Sequence, residues 1–174
     1  MIKLRKPTIH DRLQIYEILQ QNEMFLAEDI QTAMERVDSF LFDKKVKQFQ
    51  IIVAADGKTE KILGYACFGP DPSVSGSFQL FRLAVSPLAQ DQPIEETLLR
   101  AVEKEVLRKK GQSIICKIPS HGKYHRLKKF YLQNNFKKQR VIKSYYPSGV
   151  DQIILIKNLE MVDSLSAFRS NFGE

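Results

Sequence analysis

The sequence predicts one α/β (α+β) domain, a mixed sheet covered by helices, in the order β-α-α-β-β-β-α-β-α-β-β. Three observations carry this. Short apolar runs of strand length recur along the chain, between stretches whose apolar residues follow a helical period. The two kinds of segment interleave, as they do where helices cover a sheet. No repeat, linker or low-complexity stretch divides the 174 residues, a length that suits a single core.

Ile2 to Arg5 alternates apolar and basic residues, as a short first strand does. Thr8 offers an N-cap with Asp11 three residues on, and the helix that follows buries Ile15, Ile18 and Leu19. Ile30, Ala33, Met34, Val37 and Leu41 share one face of a second helix. Gln48 to Ala55 is a strand, Asp56-Gly57 a hairpin turn, and Ile62 to Phe68 the returning strand. Gly69 to Gly76 is a loop on composition, and Phe78 to Val85 a strand. Pro93 to Lys110 is an amphipathic helix with Ile94, Leu98, Ala101, Val102 and Val106 inward, ended by Gly111. Ser113 to Ile118 is a strand and Tyr124 to Gln133 a short helix. Lys138 to Tyr145 and Asp151 to Lys157 form a final hairpin around Pro147-Ser148-Gly149. The tail 160–174 has scattered apolar residues that suit an extra helix or a docking segment.

The 43% hydrophobic and 27% charged content is that of a soluble globular chain, and no apolar run approaches the ~20 residues of a membrane span. The start, M-I-K-L-R-K-P-T, goes straight into patterned sequence without the apolar stretch of a signal peptide. Cys67 and Cys116 both lie in apolar runs, which predicts buried free thiols and a reducing, cytoplasmic setting. The net charge of +7 is uneven: between Lys104 and Lys143 the only acid is Glu105. Such a field suits an anionic partner or a solvated face. Aromatics do not alternate with these cations as a stacking platform requires, which argues against nucleic acid. His121 and His125 are four apart, but Gly122 between them and no nearby cysteine argue against a metal.

Five segments in order are similar to a bacterial branch of the GNAT superfamily of N-acetyltransferases. They are N-E-M-F-L-A-E-D-I-Q-T-A-M-E, I-L-G-Y-A-C-F-G-P-D-P, L-A-V-S-P-L-A-Q, K-K-F-Y-L-Q-N-N-F and Y-Y-P-S-G-V-D-Q-I-I-L-I-K-N-L. The resemblance covers residues 1–159 and implies a GNAT-like, mostly antiparallel sheet flanked by helices. It implies acetyl transfer from acetyl-CoA to an amine by direct attack, without a metal. The strand ending in Leu83-Ala84-Val85 would splay from Lys117-Ile118, and backbone groups of Leu83 and Val85 would hold the pantetheine as an added strand does. Tyr131 matches the family tyrosine that protonates the departing thiolate, and Lys128 would meet the CoA phosphates.

The phosphate loop implied by the resemblance comprises Gln90, Asp91, Gln92, Ile94 and Glu95, and it departs from the family pattern. Gln90 keeps the first place, but Pro93 and Glu95 replace glycines. Proline supplies no N–H, and a glutamate puts negative charge where phosphates should sit. The same residues make a good helix start, with Asp91 as cap and Glu95 and Glu96 on the positive end of the dipole. Gln79 and the Lys117 to Ser120 stretch leave the expected places for a general base without a carboxylate. Glu28 is the substitute candidate. The acceptor implied is an amine, on a small molecule or a peptide, and the last hairpin and tail offer surfaces for a homodimer. Three readings follow: an active acyltransferase, favoured because backbone contacts along splayed strands do not need particular side chains, an interaction or regulatory module that has lost the cofactor, and nucleic-acid binding through the basic half.

Overall fold

The computed structural model describes residues 1–45 and 48–160. The tail predicted as an extra helix falls, from residue 161 on, outside the described residues. Seven strands form one sheet in the order β1-β2-β3-β4-β5-β7-β6. They are β1 (Ile2–Arg5), β2 (Gln50–Asp56), β3 (Ile62–Pro70), β4 (Ser77–Val85), β5 (Ser113–Pro119), β6 (Lys137–Ile142) and β7 (Gln152–Asn158). All neighbours pair antiparallel except β4 and β5, which are parallel. The helices are α1 (Arg12–Gln21), α2 (Ala27–Phe42), α3 (Ile94–Arg108) and α4 (His125–Gln133).

Each face of the sheet carries its own core. Ile15, Leu19 and Val37 of α1 and α2 pack on Ile51, Val53, Tyr65 and Cys67. Leu98, Val102 and Val106 of α3, with Phe130 and Tyr131 of α4, pack on Ala66, Phe68, Leu83, Ile114 and Cys116. That both faces of β3 are covered explains its run of eight buried residues, Ile62 to Gly69. Fully burying one such leucine or isoleucine contributes roughly 1.5–3 kcal/mol, so the two stripes of helix residues hold the layers together. Both cysteines are buried free thiols, and no described helix is long and apolar enough to cross a membrane.

The Thr8–Asp11 capping box and the α1 stripe recur: Thr8 N–H donates to the Asp11 carboxylate at 2.6 Å, and α1 buries Ile15, Ile18 and Leu19. Asp91, in contrast, does not cap α3, whose N-cap position is taken by Pro93 without a side-chain bond. Ala101 of α3, expected to point inward, is only half-buried, whereas Leu99 is fully buried. Several boundaries differ from expectation, among them the end of β6, at Ile142 and not Tyr145, and two more that concern glycines. The loop after β3 begins at Asp71, since Gly69 and Pro70 still pair with Gln79 and Phe78. A Cβ on Gly69 would lie 2.3 Å from the Gln48 carbonyl oxygen, so this glycine serves close backbone approach, not a turn. The β2–β3 connection is longer than a two-residue turn: Asp56 N–H bonds Lys61 O, and Glu60 takes a positive φ of 59°. Gly57 donates its N–H to Met1 O instead, which ties the turn to β1.

Candidate active site

The parallel pairing of β4 with β5 covers only Ser77 to Gln79 against Ser113 to Ile115. Beyond it β4 stays on β3 as far as Val85, and β5 stays on β7 as far as Pro119. The two strands therefore part and leave a gap in the middle of the sheet. Which peptide groups face it follows from the ladders. Ser86 N–H donates to Leu63 O, so by antiparallel alternation the N–H and C=O of Leu83 and Val85 turn away from β3, into the gap. Ser120 N–H donates to Asp151 O, and the same alternation turns Lys117 toward the gap from β5. One of these groups is occupied: the Asn22 side-chain amide donates to Val85 O at 3.1 Å.

A β-bulge shapes the gap further. Cys67 pairs with Arg82 and Phe68 with Leu80, which leaves Phe81 as an extra residue in β4. Leu80 and Leu83 therefore both point toward α3 and α4, while Phe81 and Arg82 both point toward α1 and α2. A cavity of ≈ 120 Å³ lies at this place. Leu83, Leu127 and Tyr131 line it from one face, and Phe25, Asp29 and Arg82 from the other. A wider groove of ≈ 440 Å³ adjoins it, sharing Asp29, Tyr124 and Tyr146.

Tyr131 is packed between Phe130 and Phe136, with ring centroids at 5.5 and 5.1 Å. Burial, then the neighbouring Cys116 thiol, push its pKa well above the ordinary phenol value. The phenol is thus a neutral hydrogen donor at physiological pH. Burial likewise pushes the Cys116 thiol up, against a hydrogen bond with Tyr131, so no thiolate competes. Tyr124, whose hydroxyl reaches Asp29 Oδ2 at 3.4 Å, is pushed up to about 12 by burial and then by that carboxylate.

The sequence candidates divide between two places. Leu83 and Tyr131 line the cavity, and Val85 lies further along the same strand. Glu28 is exposed and lines the outer groove, whereas its neighbour Asp29 lines both groove and cavity. Lys128 is half-buried on α4 and is not among the cavity residues. Gln90, Asp91, Gln92, Ile94 and Glu95 lie between β4 and the first turn of α3. There Gln92 N–H donates to Ala89 O at 3.1 Å and Ile94 N–H to Gln92 O at 2.8 Å, so two peptide donors are used within the loop. The Glu95 carboxylate is gripped by Arg126 of α4 through two bonds of 3.1 and 2.7 Å.

Arg82, Asp29, Tyr124 and Tyr146 escape sequence reading as site residues. Asp29 reads as a first-turn helix acid, a role it also fills by accepting Leu26 N–H at 3.1 Å. Arg82 had one available signal, a charged residue inside an otherwise apolar strand run.

No protein-family model and no curated protein matches this sequence. Solved structures do. A Desulfovibrio desulfuricans protein assigned to the GNAT family of acetyltransferases is 25% identical with a TM-score of 0.85, the match covering 92% of this chain and 100% of that one. The ribosomal-protein-S18-alanine N-acetyltransferase of Escherichia coli is 17% identical, TM-score 0.71, over 94% and 97% of the two chains. The PaiA N-acetyltransferase of Thermoplasma acidophilum, solved with coenzyme A, is 18% identical, TM-score 0.66, over 91% and 99%. With its seven-stranded, mostly antiparallel sheet parted between β4 and β5, the chain belongs to the GNAT superfamily.

Proposed function

We propose that the protein is an N-acetyltransferase that moves an acetyl group from acetyl-CoA to a primary amine. The observation that carries this reading is the parted β4–β5 pair with outward peptide groups at Leu83 and Val85 and a protonated Tyr131 beside it. Leu83 and Val85 would bind the pantetheine arm as an added strand. One of their N–H groups is suited to hold the thioester oxygen as negative charge develops there. The amine nitrogen forms a bond to the acetyl carbon as the carbon–sulfur bond breaks. Tyr131 gives its proton to the leaving sulfur, and the amine proton leaves toward Asp29, directly or through water. Asp29 fits that task better than Glu28, since it lines the cavity itself.

The entrance loop supports a second reading, an interaction or regulatory module without cofactor. Its own carbonyls use two peptide donors, and Glu95, in the loop that the resemblance assigns to the CoA phosphates, is bridged to Arg126. The first reading is favoured because the pantetheine contacts do not involve that loop. Calorimetric titration with acetyl-CoA separates the two. Micromolar binding is expected, and no heat at millimolar ligand leaves the module reading in its place.

A further inference from the structure

Among the described residues, no carboxylate pairs with Arg82, the cation at the far wall of the cavity. Of the described arginines, Arg5, Arg12, Arg100, Arg108 and Arg126 each contact a carboxylate, whereas Arg36, Arg140 and Arg82 do not, and of these three Arg82 alone lines the cavity. Its guanidinium carbon sits 4.6 Å from the centroid of the Phe25 ring. Its hydrogen bond among the described residues is a long one, from Nη2 to the Asp29 backbone oxygen at 3.4 Å. Its Nε is buried without a partner. A guanidinium has five N–H donors in a fork that matches a carboxylate, and leaving them unmet in a desolvated place is costly. Tyr65 Oη, buried and also without a partner, is close enough for the Arg82 charge to act on it. The bulge at Phe81 puts Phe81 and Arg82 on the same side of the sheet, so the orphaned Nε lies beside the same irregularity that shapes the gap.

The opposite charge is on the same cavity. Asp29 Oδ2 accepts from Leu26 N–H and Tyr124 Oη, while Oδ1 accepts no bond among the described residues. The cavity thus shows an acid and a base to whatever enters, next to Leu83 and Tyr131, where the transfer would occur. Its ≈ 120 Å³ is the share of about four waters, so its contents are small.

We infer that the acceptor is a small amino acid, its amine held at Asp29 and its carboxylate read by the fork of Arg82. The inference rests on the acetyl-transfer reading and names the second substrate of that reaction. A diamine would set a second cation against Arg82, and a simple alkyl amine would bury the guanidinium unpaired. Sites built around a buried polar group discriminate strongly against ligands that leave it unmet.

The test compares glycine, alanine and β-alanine with their amides in an acetyl-CoA-dependent thiol-release assay. The amino acids should exceed the amides in kcat/KM by at least about 100-fold, a ratio that Arg82→Gln collapses and Arg82→Lys restores in part. A second measurement needs no turnover. N-acetylalanine, the product with its carboxylate, should bind the full chain at least about tenfold more tightly than N-acetylalaninamide, and Arg82→Gln should erase the difference. Equal handling of acids and amides, or a preference that survives Arg82→Gln, overturns the inference while acetyl transfer stands. A carboxylate preference in a protein that gives no heat with acetyl-CoA overturns the transfer reading and leaves Arg82 as a carboxylate site.

Discussion

Glu95→Gln should strengthen the binding of acetyl-CoA. The wild-type carboxylate sits in the first turn of α3 with its side chain largely buried, and two hydrogen bonds fasten it to Arg126 of α4. A phosphate entering between these helices meets a negative charge, and the nearest cation is engaged. At ~4 Å the repulsion between unit charges is ~1 kcal/mol in water and ~4 kcal/mol at an effective dielectric of 20. Because Arg126 is more than half exposed, the lower part of that range applies, and a gain of about 1–2 kcal/mol is expected. That is roughly a 5- to 30-fold lower Kd. The variant loses a favourable helix-end charge and an exposed bridge, so its unfolding free energy should fall by no more than about 1 kcal/mol. The assay is calorimetry with acetyl-CoA, and with acetyl-pantetheine as the phosphate-free control, whose affinity should not change. Arg126→Ala should act in the opposite sense and weaken acetyl-CoA by about tenfold, since it frees the carboxylate and removes the cation. An unchanged or weaker affinity in Glu95→Gln, or an equal gain with acetyl-pantetheine, refutes the electrostatic account of this loop.

Three further outcomes are expected. Tyr131→Phe keeps the ring packing against Phe130 and Phe136 and should lower kcat about 100-fold with acetyl-CoA affinity unchanged. A kcat within threefold of wild type removes the phenol from the mechanism. Asp11 is buried and, although desolvation opposes it, hydrogen bonds from Arg5 and Thr8 hold its pKa below the usual carboxylate value. A depressed folded pKa stabilises above the unfolded pKa of about 3.9 and is lost as pH falls through the folded value. Asp11→Asn should therefore cost about 2–3 kcal/mol at pH 7, and thermal melts of the two proteins should draw together as pH falls below the unfolded carboxylate value and through the depressed folded one. Gly69→Ala puts a methyl 2.3 Å from the Gln48 carbonyl oxygen and should cost about 1–3 kcal/mol in urea unfolding. A midpoint like that of wild type would mean the crossing of the two segments can relax.

The gap itself was legible only through resemblance. Nothing in the apolar run Leu80 to Val85 distinguishes a strand that keeps its neighbour from one that leaves it. The loop before α3 was more readable, because proline and glutamate act through local rules: a missing donor and a charge on the helix dipole. What those rules do not give is the partner. Arg126 is 31 residues from Glu95 in the chain, and their bridge exists because α4 packs beside the start of α3. The hairpin turn after β2 falls where expected but is longer, and β3 runs two residues further, to Pro70, for a similar reason. Gly57 does sit in a turn and Gly69 in a strand, and at each another backbone passes within 3 Å of where a Cβ would stand.

The alternation of strands and helices, the buried faces of α1 and α2 and the Thr8–Asp11 capping box ahead of α1 came from the order of residues alone, since each depends on neighbours within one or two turns of chain. The sheet order, the parting of β4 from β5 and the bulge at Phe81 were settled by packing in three dimensions. Asp29 and Arg82 are 53 residues apart and meet in one cavity, beside the extra residue that puts Phe81 and Arg82 on the same side of the sheet. Local pattern fixes which face a side chain takes when the period is regular. Where the period slips, only long-range pairing decides it.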